Sequence, residues 1–125
     1  MKGNTFNRKL LKEDPAGYLT VTEAASIMRV TRQVVYKLAA GALPFSRHYG
    51  LLSISRKELQ ESLGLADEDD WLLTTEDITK ATGVAHITVN RWCSRYGIGV
   101  KVGKVWRIPY SRFKPFIKQQ MDIDV

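Results

Sequence analysis

The sequence predicts a mainly α-helical fold with small β-hairpins, made from one compact module used twice. Three observations lead there. Apolar residues recur at helical spacing in short blocks, as at Ala24, Ile27 and Met28, then at Val30, Val34, Val35 and Leu38. Aliphatic and aromatic pieces flank Gly-containing turns at Gly50 and Gly103-Lys104, as in two-stranded hairpins. Shifted by 54 positions, the second half of the chain lies on the first without a gap: Leu19-Thr20 on Leu73-Thr74, Val30 on Val84, Val35 on Val89, Ile54 on Ile108. Identities are few, so the unbroken register through turn, helices and hairpin is the stronger signal.

Residues 1–17 form a basic N-terminal arm with Lys2, Arg8, Lys9 and Lys12, closing on the turn signal Asp14-Pro15-Ala16-Gly17. The arm suits either a frayed terminus or a phosphate or minor-groove contact. The first module covers residues 18–65. Thr20 or Thr22 caps its first helix, with Glu23 near the positive end of the helix dipole. Arg29 then stands at a turn where glycine would be easier, and the second copy has Gly83 there. Thr31 caps a second helix that runs to about Ala40, before Gly41. A hairpin follows between Phe45 and Ile54, and the capping box Ser55-x-x-Glu58 opens a last helix ending at Gly64.

Residues 66–71 are an acidic linker, with Asp67, Glu68, Asp69 and Asp70 expected to be solvated. The second module, 72–120, repeats the first. Thr74 or Thr75 caps one helix, Ala85 to Tyr96 forms the next, and Val100–Val102 turns through Gly103-Lys104 into Val105–Ile108. Pro109 and Pro115 frame the start of the final helix. Pro115 is expected in the first turn, because deeper placement costs about 3 kcal/mol. Residues 121–125 are expected to fray as a tail.

Modules of roughly 50 residues stand near the lower limit for a self-sufficient core. No apolar run is long enough to cross a bilayer, and the N-terminus lacks the hydrophobic stretch of a secretory signal. A single cysteine, Cys93, excludes an intramolecular disulfide and a multi-cysteine zinc site. His48 and His86 are isolated, so no metal and no cofactor is expected. Formal net charge is +6. Six Lys and Arg stand against three Asp and Glu from Tyr18 to Leu65, and eight against two from Leu72 to Ile117. Two basic modules suit a polyanion, although a high pI also serves mere solubility.

Position on the helices separates those two options. With its apolar stripe turned inward, the second helix offers Arg32, Gln33, Tyr36 and Lys37 on its outer face. Two cations, an amide and a phenol reach phosphates and base edges together, which describes the recognition helix of a helix-turn-helix in a major groove. The corresponding residues of the second copy are His86, Ile87, Asn90 and Arg91. Base contacts are assigned to Arg32, Gln33, His86, Ile87 and Asn90: Arg32 for guanine, Gln33 or Asn90 for adenine. Ile87 suits a thymine methyl or packing against the hairpin. Backbone contacts are assigned to Thr31, Tyr36, Lys37, Arg47, Arg91, Lys101, Lys104 and Arg107. Tyr36 could instead belong to the edge of the core.

An opening strand, two helices, a hairpin closing on Trp106-Arg107-Ile108-Pro109 and a last helix form a known pattern. Each half resembles the winged helix-turn-helix of the excisionase and MerR-like DNA-binding group. The first half matches at Glu23-Ala24-Ala25, Val30-Thr31-Arg32 and Val34 to Leu38. The second matches at Thr82-Gly83-Val84, Thr88 to Trp92 and Gly103 to Pro109. The resemblance implies tandem winged helix-turn-helix modules, mainly α with small β-hairpin wings. It also implies small double-stranded-DNA-binding proteins that regulate transcription or steer site-specific recombination in mobile elements. Arg29 in place of the turn glycine, and Ala85 in place of a capping residue, depart from the pattern. The long dimerising helix and effector domain of MerR regulators have no counterpart here, which favours the excisionase side.

The expected protein is therefore a cytoplasmic, nucleoid-associated DNA binder, with an integrase or recombinase, or further copies of itself, as additional partners and no membrane role. The alternative is an adaptor whose tandem modules dock an integrase, polymerase or packaging enzyme. An enzyme is not expected: no catalytic residues emerge, as there is no Ser-His-Asp set, phosphate-cradling glycine loop or metal-ligand spacing. Unlike side chains on the two faces imply an asymmetric site, with subsites about 10 bp apart if both heads dock on one face of the duplex.

Overall fold

The computed structural model describes residues 17–48 and 50–125, and of His48 the backbone only. The expectations for the basic arm through Ala16, and for Tyr49, fall outside the described residues. The chain divides into two compact units between Ser62 and Leu63.

In the first unit, strand β1 (Tyr18–Thr20) leads into helix α1 (Val21–Met28) and helix α2 (Arg32–Ala39). Strands β2 (Ser46–His48) and β3 (Leu51–Ser55) follow, then helix α3 (Arg56–Leu63), whose last residue lies beyond the division. In the second unit, β4 (Leu72–Thr74), α4 (Thr75–Thr82), α5 (His86–Tyr96), β5 (Val100–Val102), β6 (Val105–Pro109) and α6 (Tyr110–Met121) come in the same order. The 54-residue offset holds in the pairing of the strands. Leu19 faces Ile54 and Leu73 faces Ile108, while Arg47 faces Leu52 and Lys101 faces Trp106.

The sequence predicts two-stranded hairpins, whereas each sheet has three antiparallel strands, ordered β1-β3-β2 and β4-β6-β5. The added strand is the short segment before the first helix of each unit. The pattern includes this opening strand, but three residues are too few to show a period, and its pairing partner lies more than thirty residues away. This pairing fixes where each first helix begins. Thr20 and Thr74, the last residues of β1 and β4, accept hydrogen bonds from Glu23 and Asp77 backbone N–H at 3.1 and 3.0 Å. In return the two carboxylates accept from the Thr20 and Thr74 backbone N–H, closing a capping box in each unit.

Both first helices end in the left-handed conformation, with φ of +58° at Arg29 and +77° at Gly83. The Val30 N–H reaches back to the Ala25 carbonyl at 3.1 Å, a bond that closes the helix end around the arginine. In the second unit the Val84 N–H donates to Thr82 Oγ1 at 3.2 Å instead, so a left-handed helix end is built once on a residue that resists it and once on one that adopts it freely.

Buried residues also recur in pairs at the repeat spacing. Leu19, Val35, Ile54 and Leu59 match Leu73, Val89, Ile108 and Phe113, all nearly without solvent contact. In the second unit Trp92, Trp106, Tyr110, Phe116 and Ile123 pack against this core. Ile123 lies in the stretch expected to fray. Tyr110 Oη donates to the Val125 carbonyl at 2.8 Å, and Lys118 pairs with Asp122 and Asp124, so the last residues fold back on α6.

Pro115 also departs from expectation, as it is the sixth residue of α6 and lies in the second turn. The helix must start at Tyr110, because β6 runs through Pro109, and it must continue through Pro115 to bury both Phe113 and Ile117. The carbonyl that loses its partner is that of Ser111. Both Ser111 and Pro115 are exposed, so water can take that bond.

Asp70 is not a solvated linker charge. Its carboxylate accepts from Ser111 N–H at 3.0 Å, Ser111 Oγ at 2.6 Å, Ala66 N–H at 2.9 Å and Trp71 N–H at 3.0 Å. In the first unit Ser55 caps α3 by accepting from Glu58 N–H. The matching residue of the second unit is Pro109, which has no side-chain acceptor, and Asp70 supplies the cap from 41 residues upstream. Burial pushes its carboxyl up, but the four hydrogen bonds outweigh that and hold it below the ordinary 3.8. Among the described residues, no helix is long and apolar enough to cross a membrane.

Candidate nucleic-acid interface

Helix α2 is amphipathic in the way a groove-reading helix must be. Thr31 caps it by accepting from the Val34 N–H at 3.4 Å, and Val35 is fully buried against the rest of the unit. Arg32, Gln33, Tyr36 and Lys37 all face solvent. Tyr36 is 46% exposed, too open for the core edge. Its hydroxyl accepts from Arg32 Nη2 at 3.4 Å, one turn along the same face. This contact uses one of the five guanidinium donors, so the fork remains free to meet two acceptors on a base or phosphate.

The β2–β3 hairpin brings a third side chain to these two. Arg32, Tyr36 and Arg47 line one open cleft of about 340 Å³, with Thr20, Thr22 and Leu51 at its other walls. Arg47 Nη1 donates to the Gly50 carbonyl at 3.3 Å, which holds the wing arginine along its turn. Gln33 and Lys37 lie on the same exposed helix face but outside that cleft. Thr31 is exposed too, and its capping role uses only an acceptor lone pair, leaving its O–H free to donate.

In the second unit, the residue at the cap of α5 is Ala85, which offers no side-chain acceptor. His86, Ile87, Asn90 and Arg91 are all exposed, while Val89 and Cys93 are buried on the opposite face. Ile87 is 67% exposed, so it does not pack on the wing. Lys101 and Lys104 are exposed, and Lys101 Nζ sits 5.0 Å from the centre of the Trp106 ring it faces across the hairpin. That cation–π contact holds the lysine over the wing. Arg107 is half-buried, with Nη1 donating to the Trp106 carbonyl at 2.8 Å. Neither α2 nor α5 contains an acidic residue, so both faces offer cations without competing charge.

Two supports of the site were not read from the sequence. Gly99 passes so close to the α5 core that a Cβ there would stand 2.7 Å from Cys93 Sγ and 3.2 Å from Trp106. Cys93 is packed in the core, and burial pushes its thiol up to about 11. The Lys101–Trp106 contact could have been found from the hairpin register, which puts the two residues opposite one another.

Residues 18–63 match the family model described as a helix-turn-helix domain. The first unit therefore contains a helix-turn-helix DNA-binding domain, and the matched segment runs from β1 through the wing to the end of α3. No curated protein and no solved structure matches the chain.

Proposed function

We propose that this chain is a sequence-specific double-stranded-DNA-binding protein of excisionase type. It has two tandem winged helix-turn-helix heads and acts as an architectural factor in recombination, a small transcription regulator of a mobile element, or both. The observation that carries the proposal is the exposed set Arg32, Gln33, Tyr36 and Lys37, on a helix whose other face is buried and which lies inside the matched domain. A second support is the recurrence of elements and strand register at the 54-residue offset, which gives α5 the place in its unit that α2 has in the first. The excisionase assignment rests on the motif resemblance alone.

A B-DNA major groove is about 12 Å wide and admits a helix of this kind. With α2 seated there, Arg32 meets the O6 and N7 acceptors of a guanine and Gln33 the edge of an adenine. Lys37, Tyr36, Thr31 and Arg47 hold the flanking phosphates and set the register. On the second head, Asn90 and His86 face the bases, and Arg91, Lys101, Lys104 and Arg107 face the backbone. The role is binding, not catalysis, and its place is on the nucleoid. An integrase or neighbouring copies on the same DNA are the natural further partners.

The test is a gel-shift series over salt concentration, with random duplex and with duplex selected from a random pool. Affinity should fall steeply as salt rises, and the selected duplex should bind more tightly at every point. Binding that ignores salt would remove the phosphate contacts from the proposal. It would also favour the adaptor alternative, in which the modules dock another protein.

A further inference from the structure

The most exposed large apolar side chain among the described residues is Ile87, at 67%. Ile87 is the second residue of α5, and the position corresponds to Gln33 of α2. Its neighbours on that end of the helix are the exposed Ala85 and His86. The first head has hydrogen-bonding groups at the positions of Ala85 and Ile87, namely Thr31 and Gln33. Arg91 is exposed one turn along the same helix, which carries no acid, and the hairpin of the same unit presents Lys101 and Lys104 to solvent. A polyanion that also carries apolar groups would complement both features.

We infer that Ile87 reads the 5-methyl group of thymine in the major groove, so that the second head distinguishes T from C and from uracil by an apolar contact. The inference rests on the proposed DNA-binding role of the second head. Thymine is the only common base that puts a methyl group at the floor of the major groove. RNA does not satisfy the same face: uracil lacks the methyl, and the major groove of an A-form duplex is too narrow for a helix. The second head thus adds a methyl contact to the hydrogen bonds of His86 and Asn90, where the first has Gln33, so the heads demand different sequences.

The experiment uses the full chain and a duplex selected by it from a random pool. Each thymine of the selected site is replaced singly by deoxyuridine, and affinity is measured by fluorescence anisotropy for wild type and Ile87→Ala. Loss of one buried methyl should weaken wild-type binding about fourfold at one or two thymines. Ile87→Ala should bind parent and uracil-substituted duplexes alike. Wild-type binding that is indifferent to uracil at every position overturns the inference, as does an equal penalty in both proteins, which would report DNA shape instead.

Lys101→Ala with Lys104→Ala separates the two levels. If the double variant flattens the salt dependence while uracil makes no difference, only the methyl contact is refuted. An unchanged salt dependence, or a pool that yields no preferred site, refutes the role of the second head and this inference with it.

Discussion

Replacing Asp70 by alanine removes the acceptor of four hydrogen bonds at once, two of them from Ser111 in the first turn of α6. Loss of an N-cap acceptor costs about 1 kcal/mol, and loss of a carboxylate at the positive end of a helix adds about 0.3–1 kcal/mol. The site is near solvent, so the lower part of the second range applies, and the second unit should lose about 1.5 kcal/mol in all. Asp70→Asn keeps one acceptor oxygen and should lose about a third of that. All three tryptophans, Trp71, Trp92 and Trp106, lie in the second unit, so their fluorescence during urea unfolding reports on it alone. At a slope of about 1 kcal/mol per molar urea, the midpoint of Asp70→Ala should fall by about 1.5 M.

The pH dependence has a definite sign. The folded carboxyl lies below its ordinary 3.8, so its stabilising effect is complete above that value and disappears as pH falls through the folded value. The gap between wild type and Asp70→Asn should be constant near neutrality and close below about pH 4. A wild-type midpoint for Asp70→Ala would refute the capping role. A gap as wide at about pH 2.5 as at neutrality would refute the charge contribution.

Arg32→Ala should cost about 1–3 kcal/mol on the preferred site and relax selection at one base position, as measured by competition with single-base variants. Lys104→Ala should weaken all duplexes alike and lower the salt slope by about one unit, with no change in base preference. Gly99→Ala forces a Cβ against Cys93 and Trp106 and should destabilise the second unit by about 1–3 kcal/mol in urea. Adding Cys93→Ala should recover part of that loss, and strictly additive penalties would show that the close approach is not the cause.

Much of the first head was legible because its determinants are local. Ser55 with Glu58 and Thr31 before Val34 join residues three apart and can be read off the chain, while Thr20 with Glu23 is one of the two caps the sequence left open. The outer face of α2 follows from where Val34, Val35 and Leu38 must point, and those four polar residues are exposed as expected. Less of α5 was legible. The sequence left Ile87 between two roles, and only its exposure in the folded unit removed packing on the wing.

What the sequence by itself determined is the order of helices and hairpins, the turns and the chemistry of the faces they offer, because bonds between near neighbours and helical periodicity are written in local order. Tertiary structure alone decided that β1 and β4 complete the sheets, that Asp70 caps a helix 41 residues away, that Pro115 falls in a second turn, and that the tail returns to Tyr110. Each of these joins or follows from segments distant along the chain. Their meeting depends on how the whole core closes, which no local spacing records.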